Sequence, residues 1–350
     1  MPAGTDPDRA PLPIAVRLAR PADKAAVLAF ATSTWDGWDY IPQVWDAWLA
    51  APDGVLLVAC AQRAVRGANG GSIPAGQPVA LARLTLLAPG EGWLEGIRVD
   101  PAVRGREVAT NLQVAELAWA AAHDMRVVRY ATGQENEGSH RLGARHGFTR
   151  LRDRRSYGPP EEEPAGTDPG DPSAVQRLSP DAPAAEVEGW WRLIAADPTF
   201  LAGDRLYEAR RWAFQAFDRL RLAAHVRRGE VYVAPDGAAL AIAPHGDGRS
   251  ERSSDAGLLV GRPASALALL VALGRASGGS PRVRLPDPDP PLLAHEEAER
   301  WAAAGLVAHP MALHLMGRTI EPGVALPAAE PPDVLVLLDE PRSVARPAAP

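Results

Sequence analysis

The feature that most constrains this sequence is a strand that runs into a loop rich in arginine and glycine and then into a long helix. The strand is EGWLEGIRVD (91–100), the loop follows Pro101, and the helix lies within VRGREVATNLQVAELAWAAAHD. Its apolar residues recur at helical spacing, so one face is predicted to pack against a sheet. A turn that feeds a helix N-terminus directs unbonded backbone N–H groups at one point, where the helix dipole favours negative charge. The segment therefore predicts an anion site on an α/β fold.

Strand and helix signals alternate on both sides of this segment. Together they give the order β-α-α-β-β-β-α-β-α-β, an α/β (α+β) fold with a mixed, mostly antiparallel sheet flanked by helices. The predicted strands are 14–18, 55–61, 78–88, 91–100, 127–132 and 148–157, the helices begin near Pro21, Pro42, Val108 and Glu137, and 63–78 is a loop.

An acidic, proline-rich segment, GPPEEEPAGTDPGDP (158–172), predicts a linker between two domains. Beyond it the pattern restarts. We interpret 1–13 as a flexible N-terminus, 14–157 as the first domain, 173–320 as a related second domain and 321–350 as a proline-rich tail. In the second domain the predicted helices are 183–218, 265–276 and 295–306, and the strands are 174–178, 221–227, VYVAP, AALAIAP, 282–285 and 311–318.

Composition excludes several classes of function. The net charge is −6, so the chain lacks the basic excess that is typical of nucleic-acid-binding proteins. The one cysteine, Cys60, rules out a disulfide framework, and the eight histidines show no metal-ligand spacing, so we expect no metal. The longest apolar stretch, 257–274, is broken by Arg262 and Pro263. We expect a cytoplasmic protein with no membrane partner.

The loop and helix Arg104-Gly105-Arg106-Glu107-Val108-Ala109 resemble the acetyl-CoA signature of the GNAT acetyltransferases. The order of elements over 14–157 is similar to that family too, as is Asn136 at the start of a short helix that ends in Gly147-Phe148. The resemblance implies a GNAT fold and acetyl-CoA as co-substrate. Its cofactor-binding residues would be Ile97, Arg98, Val99, Arg104, Gly105, Arg106, Glu107, Val108, Ala109 and Asn136.

Two positions depart from the family pattern. Glu107 stands where the loop usually has its first glycine, and its carboxylate would repel a pyrophosphate unless it points outward. Gly143 stands where the short helix commonly carries a tyrosine that protonates the leaving thiolate. Tyr157, Tyr130 or water would replace that tyrosine, and Tyr157 is our candidate.

A further resemblance involves Gly37, Asp39-Tyr40, Pro42, Trp48-Leu49, Glu95-Gly96 and Arg98-Val99. These are similar to the group containing vertebrate histidine N-acetyltransferase, which pairs a working GNAT domain with a degenerate GNAT-like half. The resemblance implies an acceptor that is a small amine, such as a free amino acid. The second half lacks an arginine-glycine loop, so we expect it to shape the acceptor pocket or to supply a homodimer surface.

Acetyl transfer to an amine needs a base, and Glu95 is the candidate. It lies two residues before Ile97, so both share one face of the strand. We interpret Glu95 as a general base acting through water, or as a structural carboxylate that pairs with Arg83 or Arg98. A backbone N–H of Ile97 or Val99 is the candidate for stabilising the developing oxyanion.

The candidate substrate-binding residues are Asp39, Tyr40 and Arg83. Asp39 could bind the substrate's ammonium group or cap its loop, and Tyr40 could line the pocket or pack internally. Arg83 or Arg98 could pair with a substrate carboxylate. The tryptophans between 35 and 48 are an aromatic pocket or, by preference, core. The predicted activity is N-acetyl transfer, and the alternative is an acyl-CoA-binding module without turnover.

Overall fold

The computed structural model describes residues 10–32, 34, 37–67, 71–159, 175–243, 255–277, 281–287 and 299–321. Its strands are β1 (Ile14–Leu18), β2 (Gly54–Ala61), β3 (Val65–Arg66), β4 (Ser72–Ile73), β5 (Pro78–Ala88), β6 (Glu91–Val99), β7 (Val127–Gly133), β8 (Thr149–Gly158), β9 (Gln176–Arg177), β10 (Leu206–Arg210), β11 (Ala213–Ala216), β12 (Val231–Val233), β13 (Ala239–Ile242), β14 (Leu258–Gly261), β15 (Val283–Pro286) and β16 (Val307–Thr319).

Its helices are α1 (Lys24–Leu28), α2 (Ile41–Ala50), α3 (Val108–Ala122), α4 (Glu137–Arg145), α5 (Ala184–Ala196), α6 (Pro198–Ala202), α7 (Arg219–Arg227) and α8 (Pro263–Ser277), with 3-10 turns at Pro21–Asp23 and Pro101–Val103. Among the described residues, no helix is long and apolar enough to cross a membrane.

The chain forms two compact units that interleave in sequence. The first contains the described residues up to 129, together with 141–148 and 318–321, and the second contains 130–140 and the described residues between 149 and 317. The predicted division at 157 and 173 stays a prediction, and residues 160–174 of the predicted linker lie outside the described residues.

In the first unit a sheet runs in the order β1-β2-β5-β6-β7. Neighbours are antiparallel except β6 and β7, which pair in parallel. Strand β2 is almost wholly buried because both of its faces are covered. Leu56, Val58 and Cys60 belong to a core cluster with residues of α1 and α2, and α3 also packs on the sheet.

The second unit has its own sheets and cores. Strand β8 pairs antiparallel with both β15 and β16, and a four-stranded sheet has the order β14-β13-β12-β9. The second unit has two clusters of buried apolar side chains. One is centred on α8, and the other on α7 with β12 and β13.

Sequence patterns misassign part of the second half. The predicted helix over 183–218 is instead α5, α6 and the β10–β11 hairpin, interrupted at Asp204 and Arg205, both in the left-handed region. The predicted strand 221–227 is α7, because Asp218 accepts a hydrogen bond from the N–H of Arg221 and caps a helix there. In RLRLAAHVR, alternation imitates a strand, but the buried side chains fall at helical spacing.

The remaining differences are smaller. The helix predicted from Pro21 ends at Leu28, and the predicted loop 63–78 contains the short hairpin β3–β4. The helix predicted over 295–306 is helical at 299–303. Trp35, residues 295–298 and the apolar segment of the tail lie outside the described residues.

Candidate active site

The candidate site begins at a β-bulge in β6. Arg83 faces Glu95 and Leu81 faces Arg98, so β6 carries one more residue than β5 between these pairs. Gly96 in the bulge has φ +71°, and a Cβ there would lie 2.5 Å from the Trp48 ring. Only glycine satisfies both conditions, and the bulge bends β6 directly after Glu95.

The Glu95 carboxylate is held by a chain of hydrogen bonds from β5. Arg83 Nε donates to Thr85 Oγ1 at 2.9 Å, and Thr85 Oγ1 donates to Glu95 Oε1 at 2.8 Å. The Glu95 side chain is 12% exposed, and Arg83 Nε is 3.8 Å from Oε1. The carboxylate is therefore fixed in position beside a positive charge while part of it still meets solvent.

Arg83 is enclosed by protein. Its side chain is 1% exposed, Nη1 donates to the Trp48 carbonyl at 2.8 Å, and Nη2 donates to Asp53 at 2.6 Å. The expectation that Arg83 binds a substrate carboxylate is corrected, because its guanidinium faces protein acceptors and not an open pocket.

Asp39 and Arg98, both expected at the substrate, bind each other. Arg98 donates from Nε to Asp39 Oδ2 at 2.7 Å and from Nη2 to Oδ1 at 3.2 Å. Asp39 is fully buried and also accepts hydrogen bonds from Thr34 and from the Ile41 N–H. A carboxylate with this many donors has no need of a substrate ammonium. We therefore assign Asp39 to capping and to anchoring the chain before α2 on β6, as the alternative interpretation had it.

Tyr40 lies between that anchor and the core. The Arg98 guanidinium is 5.2 Å from the Tyr40 ring centre, and Trp48 packs edge-on against the ring at 5.9 Å. Trp45 and Trp48 are buried core, as preferred from the sequence, whereas Trp38 is 56% exposed. Trp38 and Tyr40 thus form an aromatic surface next to β6.

The loop before α3 has the geometry of an anion cradle. Gly105 and Glu107 have φ +75° and +63°, and left-handed residues turn successive N–H groups toward one side. Among the residues that the structure describes, none accepts a hydrogen bond from the N–H groups of residues 105–110. Arg106 Nε donates a hydrogen bond to the Ala10 carbonyl at 3.0 Å, and Arg104 Nε donates to the Val99 carbonyl at 3.2 Å.

The Glu107 carboxylate accepts no hydrogen bond from these N–H groups. The side chain is 52% exposed, makes no capping hydrogen bond and lies 3.9 Å from Arg145 Nη1. The backbone at Glu107 can therefore belong to the cradle while its charge is partly offset by an arginine.

The remaining predicted residues, Tyr157 and Asn136, belong to the second unit. Tyr157 is 4% exposed within the α8 core cluster, and burial raises its pKa. We therefore correct its assignment as the acid that protonates the thiolate. Tyr130, the other candidate, donates to the Ser139 carbonyl at 3.1 Å. Asn136 caps α4 by accepting from the Ser139 N–H at 3.1 Å.

Sequence reasoning missed Thr85 and Thr34. Thr85 was detectable, since it lies two residues from Arg83 on β5 and so shares its face, opposite the β6 segment that carries Glu95. Thr34 had no signal, because its contact with Asp39 depends on a loop conformation.

Comparison with known proteins identifies the region that contains this geometry. Residues 27–148 match the model of the acetyltransferase (GNAT) family. They form a GNAT acetyltransferase domain. The protein is accordingly an acetyl-CoA-dependent acyltransferase.

Solved structures extend the similarity in fold. A GCN5-related N-acetyltransferase from Sphaerobacter thermophilus is 18% identical with a TM-score of 0.51, over 92% of this chain and 99% of that one. A putative acetyltransferase from Pyrococcus horikoshii is 13% identical with a TM-score of 0.50, over 93% and 94%. No curated protein matches the sequence. The GNAT fold is thereby confirmed, while the histidine N-acetyltransferase-like group stays a prediction.

Proposed function

We propose that the protein moves the acetyl group of acetyl-CoA to the amine of a small molecule, such as a free amino acid, by direct attack in a ternary complex. The observation that carries the proposal is the positioned Glu95 carboxylate, which lies in the same unit as the N–H cradle at residues 105–110. One unit thus holds a candidate base and a candidate phosphate site.

The cradle fits the pyrophosphate of the co-substrate. Its N–H groups have no described acceptor, and α3 contributes the positive end of its dipole. The described pairs between β6 and β7 join Glu91–Trp93 to Val127–Arg129. Ile97 and Val99 lie further along β6, beyond these pairs. Their backbone groups are our candidates for contacting the pantetheine arm.

Glu95 would accept the proton that the attacking amine loses, directly or through one water. The amine nitrogen bonds to the thioester carbonyl carbon, the carbon–sulfur bond breaks, and the thiolate takes a proton from solvent. Thr85 holds Oε1 by a hydrogen bond, and the Arg83 guanidinium lies 3.8 Å from the same oxygen, so the carboxylate is fixed in place. A backbone N–H of Ile97 or Val99 would stabilise charge on the carbonyl oxygen.

The acceptor would meet Trp38 and Tyr40, which offer aromatic surface beside β6. Since Arg83 and Asp39 are bound by protein groups, the proposal assigns them no substrate charge. Recognition of the acceptor would rest on shape and on the aromatic surface.

The substitution Glu95→Gln tests the base. It keeps the Thr85 hydrogen bond and removes the proton acceptor, so we expect turnover to fall by about 10²–10⁴. Calorimetric binding of acetyl-CoA should not change. Glu135→Gln, an exposed position, is the matched control. Unchanged turnover in Glu95→Gln would leave Glu95 a purely structural carboxylate.

A further inference from the structure

The second unit contains a small cavity lined by two arginines. Its volume is about 10 Å³, and its polar lining side chains are Arg154, Arg284 and Thr199. Apolar side chains and backbone form the rest, and no acidic side chain lines it. A volume of this size holds one water-sized species.

Arg154 is a buried cation with an unused donor. The residue is 3% exposed. Nη2 donates to the Gly203 carbonyl at 2.6 Å and lies 3.5 Å from the Leu206 carbonyl. Its Nε is buried and has no hydrogen-bond acceptor among the described residues. Burial lowers the pKa of this guanidinium to about 10. Buried donors without acceptors are rare in folded proteins and indicate an unseen partner.

The nearby carboxylates are committed elsewhere. Glu208 accepts from Arg284 Nη1 at 2.6 and 2.7 Å, and Asp204 pairs with Arg152 at 2.8 Å. The Thr199 hydroxyl accepts from the indole of Trp301 at 2.8 Å. These contacts leave Arg154 without a hydrogen-bonded counter-ion.

The chain beside Arg154 adopts an unusual conformation that brings carbonyls to it. Asp204 and Arg205 both have φ +57°, which disfavours residues with a Cβ. They lie between Gly203 and Leu206, whose carbonyls approach the guanidinium. A Cβ on Gly203 would lie 2.8 Å from Arg154 Nη2. The loop is therefore closely fitted around the charged group.

We propose that this cavity binds a single monatomic anion, chloride, on the guanidinium of Arg154. Positive charge without a lining acid selects an anion over a cation, and room for about one water-sized species favours a monatomic anion over phosphate, sulfate or a carboxylate ligand. The anion would accept a hydrogen bond from Nε of Arg154 and offset the cost of a buried charge.

Halide replacement tests the proposal on the full chain. Crystals grown in sodium bromide should show an anomalous peak within hydrogen-bonding distance of Arg154. In solution, thermal unfolding is followed in sodium chloride and in sodium gluconate at equal ionic strength. Each tenfold rise in chloride above its dissociation constant should raise Tm of the full chain by roughly 2 °C, and gluconate should not.

Two variants complete the test. Arg154→Met should lose the chloride-specific shift, whereas Arg152→Met, which removes an arginine outside the cavity lining, should retain it. If Arg154→Met fails to fold, the bromide peak in the unmodified protein decides. A peak only at surface sites, a water in the cavity, or equal effects of chloride and gluconate would each overturn the proposal.

Discussion

At the scale of single residues, two charged groups near the site come from positions that are far apart in sequence. Asp39 and Arg98 are separated by 59 positions and form a two-point ion pair. The sequence shows that both belong near the site, but not that they neutralise each other. That outcome depends on how the segment before α2 meets β6, which no local pattern encodes.

Removing Asp39 should therefore be costly for stability. Asp39→Ala leaves a mostly buried Arg98 without its partner and the Ile41 N–H without its cap, so we expect a loss of about 3 kcal/mol in the free energy of unfolding. Asp46→Ala is the control, because Asp46 pairs with Lys24 on the surface and is 75% exposed. Its loss should stay below about 1 kcal/mol in urea titrations. Equal losses for the two variants would refute the anchoring role of Asp39.

Two substitutions at Glu107 test its charge and its backbone conformation separately. Glu107→Gly relieves a left-handed residue and should stabilise the protein by about 1 kcal/mol, whereas Glu107→Gln keeps that conformation and should not. Since the carboxylate lies toward Arg145, Glu107→Gln should change the acetyl-CoA dissociation constant by less than about threefold. Calorimetry measures the binding and urea unfolding measures the stability. A tenfold tighter complex in Glu107→Gln would mean that the carboxylate opposes the pyrophosphate.

At the scale of elements, α3 contains a polar residue in its buried face. Glu116 is 2% exposed, and its Oε1 has no hydrogen-bond donor among the described residues. Burial raises the pKa of Glu116 to about 8. The spacing of apolar residues predicts the helix. It does not predict that the Glu116 carboxyl is buried.

The raised pKa of Glu116 makes stability depend on pH. The unfolded chain loses this proton near pH 4.5 and the folded chain near pH 8. As the pH rises between those values, Glu116 therefore lowers the free energy of unfolding by a growing amount. At pH 7 the cost is about 3 kcal/mol. Glu116→Met should raise Tm at pH 7 and flatten its decline from pH 5 to 8, while Glu135→Gln should do neither. The same pH dependence in Glu116→Met and the parent would contradict this.

The elements also show where pattern reading fails. Most strands and helices of the first half were predictable, because turn residues and apolar spacing agree there. In the second half, Asp218 begins a helix in a stretch whose alternation imitates a strand, and the left-handed pair Asp204-Arg205 breaks a predicted helix. Local signals conflict at these points, and tertiary contacts decide.

At the scale of the whole molecule, the two units do not follow the chain in simple succession. Strand β8 pairs on both sides with strands that come much later, β15 and β16. Ile320 donates to the Arg126 carbonyl at 2.8 Å, and Arg318 to the His146 carbonyl at 2.6 Å, so the chain returns to the first unit. A sequence read from one end predicts a linker but not such a return.

A chain that stops at residue 172 should therefore be unstable. It retains β8 without its ladder partners and leaves the carbonyls of Arg126 and His146 without their donors. We expect its Tm to lie well below that of the full chain. The control, Arg318→Ala in the full chain, should lower Tm only slightly. Circular dichroism during heating measures this, and equal Tm values for the fragment and the full chain would show that β15 and β16 are dispensable.

We expect this protein to transfer acetyl groups to a small amine with Glu95 as the base. The most direct measurement is thiol release from acetyl-CoA by the purified protein against a panel of free amino acids and simple amines, run in parallel with Glu95→Gln. We predict release with at least one acceptor and its loss in the variant. Acetyl-CoA binding without release for any acceptor would contradict the claim and favour an acyl-CoA-binding module.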